Sequence, residues 1–296
     1  MNTVNILLQQ LINALTYGSL IGFIAIGYTL VYGVLKLINF AHGNLVIFSI
    51  FLLLTFLTKW QIPLSLSFLF TIFGITLMAV LIYFIGYKPL RYSNKINLVG
   101  SALGMSMVVQ NLIVLFWGTT PKTFPITLFA NENIVIHSLI FNKLSILIIM
   151  MNIFILCLFY FIHHKTRFGI AVKALSVDYQ TATLMGINVS KIIILIFIIG
   201  AILGSLGGLF IGLSYKSIDF TMGFDYGLKA FIASIIGGIG SISGAMLGGI
   251  IIGLIQTLSI GYLSNSYADV CTYSIIILLL IVKPNGLFGK VIEEKV

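Results

Sequence analysis

Long apolar runs recur along almost the whole of this chain. They cover roughly 6–35, 45–58, 64–87, 96–117, 144–162, 192–213, 228–263 and 270–282. An α-helix needs about 20 mostly apolar residues to cross a bilayer. The runs are apolar on all sides, whereas the strand of a membrane barrel alternates apolar and polar residues over about 10 positions. The chain is therefore expected to be an all-α polytopic membrane protein. Of its 296 residues only 8% are charged, against roughly 25% in soluble domains, and the mean hydropathy is +1.16.

The first run is long for one span and is expected to break near Asn13, Gly18 and Gly22. The run 228–263 is too long for one span and is expected to split into two helices at GGIGSISG, 237–244. About eight to ten transmembrane helices follow, with broken or re-entrant segments, in a single transmembrane domain over 1–296. No removable signal peptide is expected, because no Lys or Arg precedes Lys36 and no small-residue cleavage site follows the first run. The net charge of +9 sits in short connectors, where it reports orientation and not nucleic-acid binding. Placing 36–43, 88–95, 163–191, 237–244 and the C-terminus in the cytoplasm collects 11 basic residues inside and five outside. That arrangement obeys the positive-inside bias and implies nine crossings with the N-terminus outside.

All seven acidic residues are expected outside the middles of the spans, Asp219 and Asp225 in the connector 214–227. Buried carboxylates mark ion relays in coupled carriers, so a proton-driven carrier is disfavoured. Cys157 and Cys271 lie in apolar runs and are expected to be buried hydrophobes. No metal site is expected, and no cofactor. There is no GxxxxGK[ST] phosphate loop. GGIGSIS lacks the Lys and the preceding strand, and reads as small residues that let helices approach or break. An intramembrane enzyme would need a catalytic group at depth, and His163 and His164 at a span end read as interface anchors.

Three polar stretches stand out. KLINFAHGN, 36–44, reads either as a short cytoplasmic turn or as non-helical backbone beside a water-filled cavity, the setting in which such backbone is tolerated at membrane depth. In GMSMVVQN, 104–111, Ser106 and Gln110 share a helix face, with Asn111 beside them, either binding a neighbouring helix or lining a pathway. The longest soluble-looking stretch, about 165–191, opens with Lys165 and Arg167, and 170–185 has the spacing of one short helix that Gly186 would end in a left-handed conformation. From pattern alone this helix either lies on lipid or docks a soluble partner. KLINFAHG, 36–43, and KSIDFTMG, 216–223, also share Lys, Ile, Phe and Gly at a shift of 180, as do Gly27 and Gly207. On sequence alone, chance is the better account of those five matches.

The motifs AIGYTLVYGVLKLINFAHGN, YKPLR, ALGMSMVVQN, RFGIAVKA, KAFIASIIGGIGSISGAMLGG and KPNGLFG occur in this order over almost the whole chain. In this order they resemble the permease subunits of ABC importers for branched-chain amino acids, the LivH type. The resemblance implies a permease that moves branched-chain amino acids into the cytoplasm across the bacterial inner membrane and is not itself an enzyme. It implies a homologous second permease subunit as heterodimer partner, two cytoplasmic ATPase subunits that hydrolyse ATP, and an extracytoplasmic substrate-binding protein. The stretch 165–191 would be the loop that couples to an ATPase, with Arg167, Gly169, Lys173, Asp178, Ala182 and Gly186 as its marked residues. Gln180, Thr181, Ala182 and Gly186 stand where such loops carry Glu-Ala-Ala, three residues and Gly, so only the second Ala and the Gly agree. Lys173 stands where the family usually has Arg, keeping the charge but losing a bidentate contact. Asn39, His42 and Gly43 are expected at the translocation path or its inner gate, with Ser106, Gln110 and Asn111 as further path candidates. Related permeases carry sugars, nucleosides or urea, so another small solute of that kind is the alternative substrate, ahead of a self-sufficient secondary carrier.

Overall fold

The structure, a computed structural model, describes residues 3–91, 93–125, 133–136, 139–215, 217–284 and 286–289. Lys216, Lys290, Lys295, Glu132, Glu293 and Glu294, which entered the charge count, lie outside the described residues. The helices are α1 (Thr3–Leu35), α2 (Ala41–Thr58), α3 (Leu64–Ile82), α4 (Lys95–Trp117), α5 (Lys143–Lys165), α6 (Arg167–Val177), α7 (Tyr179–Leu184), α8 (Val189–Ser214), α9 (Met222–Gly237), α10 (Ile242–Tyr262) and α11 (Asn265–Val282). A π-helical turn, Tyr83–Tyr87, extends α3. Four short strands pair outside the bundle. In one pair β1 (Lys122–Thr123) meets β4 (Ser217–Ile218), and in the other β2 (Asn133–Ile136) meets β3 (Leu139–Asn142). Among the described residues eight helices are long and apolar enough to span a membrane, and α9 is the shorter ninth element. The protein is an all-α, multi-pass membrane protein.

Helices α1 and α2 form the centre and are largely buried, while α3, α4, α5 and α11 turn large apolar side chains outward. The outward faces suit lipid, which removes any need for an amphipathic pattern. The expected break in the first run does not occur. Thr3–Leu35 is one continuous helix of 33 residues. Its glycines serve contact. A Cβ on Gly18 would stand 2.7 Å from the Ile250 Cα, and one on Gly249 would stand 2.7 Å from the Gly22 amide nitrogen. Small residues let α1 and α10 meet backbone to backbone, the usual device between helices in lipid, where the hydrophobic effect offers no drive. The expected split at 237–244 is present, with α9 ending at Gly237 and α10 starting at Ile242. Cys157 is exposed and Cys271 intermediate, so neither is the buried hydrophobe expected, because both sit on outward-facing helix surfaces.

The shift of 180 residues is structural. Once 180 is subtracted, α8 ends one residue from the end of α1, α9 starts one residue after the start of α2, and α10 ends with α3. The packing repeats as well: α2 lies on α8 as α9 lies on α1, and α3 on α8 as α10 on α1. Helices α1 and α8 are antiparallel, since Gly27 faces Gly200, Gly207 faces Ile24, and Phe23 stacks on Phe210 at 5.6 Å. The two halves, α1–α4 and α8–α11, are thus inverted copies, with α5 as the odd crossing between them. This overturns chance as the account of the shared residues. Too few identities survive for the sequence alone to reveal the repeat.

In each half the chain leaves a long helix, doubles back without helical structure, and starts a new helix inside the bundle. Lys36, at φ 53°, ends α1 in the left-handed region, and 36–40 lead back to α2. The His42 ring of α2 packs beside Gly27, eight residues short of the end of α1, which is about 12 Å at 1.5 Å per residue. On the other side 217–221 lead back to α9. The N-termini of α2 and α9 therefore meet near the middle of a hydrocarbon layer about 30 Å thick.

Candidate functional site

At this midplane junction Gly43 of α2 touches the Gly223 backbone of α9, and a Cβ there would stand 2.6 Å from the Gly227 Cα. Asn44 donates from Nδ2 to the Ser106 carbonyl oxygen at 3.0 Å and to Ser106 Oγ at 2.9 Å, tying α2 to α4. Ser106 Oγ donates in turn to the Phe40 carbonyl at 3.0 Å. The Tyr87 hydroxyl donates to Asn39 Oδ1 at 3.1 Å, which fixes the 36–40 segment against the π-helical turn. The Tyr28 ring meets the His42 ring edge-on at 4.8 Å. His42 Nε2 and Asn44 Oδ1 are buried without a hydrogen-bond partner.

The structure thus brings Asn39, His42, Gly43 and Ser106 together. Asn111 is exposed and donates to Met107 O within its own helix, and Gln110 is half-buried one turn from Ser106. Asn39 and His42 are almost fully buried, so in this conformation they support the junction and line no open passage. Asn44, legible as part of the polar stretch 36–44 but not expected among the path residues, is its central link. The Ala-His-Gly-Asn start of α2 gives little sign of this role, because the partner lies 62 residues away.

On the side where α1 ends, α6 and α7 form an angled pair, where one helix over 170–185 was expected. Asp178 breaks the run: its carboxylate accepts from the Gln180 amide at 3.1 Å and the Thr181 amide at 3.0 Å, and also from Thr181 Oγ1. An Asp that satisfies the free amides of a new helix start competes with continuing the old one. These bonds, that of Thr181 first, hold the exposed Asp178 carboxyl below its ordinary value of 3.8. At the front of α6 the Thr166 hydroxyl accepts from Gly169 N at 3.3 Å, and Gly169 presses on the carbonyls of Ile162 and His163. Gly186, at φ 80°, closes α7, with Ile187 N donating to the Ala182 carbonyl at 3.1 Å, the helix end expected at this glycine.

Ala182 is buried under α7, while Arg167, Lys173, Asp178 and Gly186 are exposed. So are Val177 at 87%, Leu184 at 87% and Met185 at 79%. These apolar tips stand at the ends of α6 and α7, with the exposed Lys173 one helical turn before Val177. Behind the pair lies a cavity of about 500 Å³. Asp178, Gln180 and Thr183 of the pair line one wall, and Lys36, Leu37 and Tyr87 line another. Tyr87 holds Asn39, so the exposed pair and the junction segment share one cavity.

A third polar group was missed. Asp225 lies in the first turn of α9, Lys229 one turn on, and Asp269 in the second turn of α11. Lys229 Nζ contacts Asp269 Oδ1 at 2.8 Å, and Gln256 Nε2 of α10 donates to the same oxygen at 3.1 Å. From the sequence, Asp225 is expected in the connector 214–227 and Lys229 at the outer start of the run 228–263. Both belong to α9, whose start inside the bundle is hidden from hydropathy by the polar residues before it. Carboxylates therefore do lie within spanning helices, and Lys229 drops out of the outer charge count. The readable signal was the i, i+4 spacing of Asp225 and Lys229.

Inverted halves, discontinuous helices meeting at mid-depth, and an exposed helix pair at one face define a membrane transport scaffold. The fold is similar to that of PsaBC from Streptococcus pneumoniae, solved in complex with Fab, at a TM-score of 0.51 and 16% identity, covering 95% of this chain and 92% of that one. The family model described as branched-chain amino acid transport system / permease component matches residues 10–281. The chain is 37% identical to the high-affinity branched-chain amino acid transport system permease protein LivH of Escherichia coli, covering 98% of this chain and 97% of the relative. It is 35% identical to BraD of Pseudomonas aeruginosa, covering 98% of both. The chain belongs to the branched-chain amino acid transport permease family.

Proposed function

We propose that the chain is the membrane-spanning subunit of an ABC importer that moves branched-chain amino acids into the cytoplasm across the bacterial cytoplasmic membrane. The function named for relatives matched end to end carries the substrate class. The observation that carries the mechanism is the exposed apolar end of the α6–α7 pair, with Val177, Leu184 and Met185 uncovered beyond the spans. Exposed apolar residues on a helix pair that also exposes Arg167 and Lys173 suit a protein partner. In this reading the partner is one of two ATPase subunits. A homologous second permease completes the membrane part as a heterodimer, and an extracytoplasmic binding protein delivers substrate.

ATP hydrolysis in the partners would move the α6–α7 pair. Asp178, Gln180 and Thr183 would carry that movement through the shared cavity to Tyr87 and the 36–40 segment. Asn39, His42, Gly43 and Ser106 would act at the junction as the hinge of the path, with Gln110 and Asn111 on the same helix as Ser106. The same residues, 1–296, make up one permease domain.

The test is uptake of radiolabelled leucine in cells lacking this chain, then carrying it alone, then carrying it with its ATPases. Uptake that needs both establishes the reading. Uptake that needs the chain alone identifies a secondary carrier, and unchanged uptake removes the substrate assignment.

A further inference from the structure

The group formed by Asp225, Lys229, Gln256 and Asp269 has no part in the junction or in the α6–α7 pair. Its depth follows from its helices. Asp269 is the fifth residue of α11, about 6 Å from the end of a helix of 18 residues, about 27 Å long and barely a bilayer thick. Lys229 lies seven residues into α9, which starts at the midplane, and a helical side chain leans back toward its own N-terminus. Helix α9 runs from the junction toward the inner face, so Lys229 reaches back toward the midplane while Asp269 reaches in from the outer half, and the pair meets near the middle of the membrane.

Charges at such depth face protein or water, since lipid contact is costly. Lys229 is only 6% exposed, whereas Asp225 is exposed and the Asp269 side chain is 59% exposed. The group is thus a buried cation with two carboxylates opening from it. One carboxylate balances Lys229, which leaves one negative charge in excess. Gln256 is 8% exposed, its Nε2 is spent on Asp269, and its Oε1 has no partner. An unsatisfied buried amide oxygen costs free energy that a donor would recover. Tyr17 and Tyr273 lie close enough to feel both carboxylates.

We propose that this group is a station for the zwitterion of an α-amino acid near the middle of the path. The proposal deepens the importer reading and rests on it. Lys229 already holds a carboxylate, that of Asp269, and a substrate carboxylate is the same chemical group and competes for it. The released Asp269 and the exposed Asp225 then accept the substrate ammonium, for which Gln256 Oε1 is a third acceptor. An ion pair that opens to a zwitterion exchanges partners without changing the net charge of the group, and the excess carboxylate gives the ammonium a second partner. A sugar offers neither charge.

The experiment measures leucine uptake against concentration in the complete importer, with membrane levels of the chain read by immunoblot. Asp225→Asn removes a carboxylate that the Lys229–Asp269 pair does not need. It is expected to raise the half-saturating leucine concentration, or to lower uptake, at least about tenfold at unchanged membrane level. The exchanged variant Lys229→Asp with Asp269→Lys keeps an ion pair while moving the cation to the exposed side. It is expected to restore membrane level but not uptake. Wild-type uptake in Asp225→Asn, or full uptake in the exchanged variant, overturns the station and leaves the importer reading standing. A wild-type importer that moves a neutral solute and no amino acid overturns both.

Discussion

Gly43 and Gly223, separated by 180 residues, hold equivalent places in the two inverted halves and touch each other at the midplane. A pseudo-twofold axis brings only self-equivalent positions into contact with their own counterparts, so this contact marks where the axis passes. Both positions leave no room for a side chain. A Cβ on Gly43 would stand 2.6 Å from the Gly227 Cα, and one on Gly223 would stand 3.1 Å from the Asn44 Cα. Overpacking of a tight interior costs typically about 1–3 kcal/mol. Gly43→Ala and Gly223→Ala are therefore expected to lower thermal stability in detergent and to depress uptake. Gly100→Ala, where a Cβ meets nothing within 4 Å, is the control expected to change neither. Equal melting curves for all three would remove the contact from the list of stabilising features.

Asn44 and Ser106 should show energetic coupling. Asn44 Nδ2 reaches both oxygens of Ser106, and Ser106 Oγ goes on to Phe40. Side-chain hydrogen bonds between helices in a membrane are worth about 0.6 kcal/mol on average and up to about 1.7. In a double-mutant cycle of Asn44→Ala and Ser106→Ala, unfolding in mixed micelles is expected to give a coupling in that range. The Asn44→Ala single variant should also lose uptake if the junction is the hinge. Strict additivity of the two changes would show the link to be energetically empty.

What hydropathy could read was the number and length of the spanning helices, because lipid rewards apolar length whatever the packing. The position of a helix start within the bilayer is set by packing instead. That is why the run holding α9 is expected from 228, after Asp225, when the helix begins at Met222 at the junction. Ser106 was visible as a polar group on a helix face, but the face it meets is 62 residues away in sequence. Asn111 looks the same in the sequence and is exposed, bonded to its own helix at Met107. The kink at Asp178 was legible in principle. Asp followed three residues later by Thr181 is a helix-start pattern, outweighed in the reading by continuous apolar spacing over 170–185.

Asp178 should matter through its cap. Asp178→Asn keeps an oxygen that can accept from the Gln180 and Thr181 amides, and Asp178→Ala keeps none. Uptake is expected to survive the first change and to fall severalfold in the second, with normal membrane levels in both. The charge sets the pH dependence. The folded value is depressed, chiefly by the Thr181 bonds, below the ordinary 3.8. Its contribution is therefore complete above about pH 4 and is lost as pH falls through the lowered folded value. No change in α6–α7 order is expected between pH 5 and 8. Hydrogen exchange of the Gln180 and Thr181 amides at these pH values checks this directly.

Gly186 closes α7 at φ 80°, and a Cβ there would meet nothing within 4 Å. A substitution at this place is therefore a test of backbone conformation, free of steric conflict with neighbours. Asn tolerates the left-handed region, and a β-branched residue does not. Holding Val there costs on the order of 1–3 kcal/mol, enough to shift a docking equilibrium roughly ten- to hundredfold. Gly186→Val is expected to keep its membrane level, to lose most uptake and to lose cross-linking between the α6–α7 pair and the ATPase. Gly186→Asn is expected to retain both uptake and cross-linking. The ordering of the two variants carries the argument, since both add bulk at the same point and only one resists the helix end. Equal uptake in Val and Asn variants would mean that the closure of α7 by Gly186 plays no part in docking, and would move the search to Val177, Leu184 and Met185.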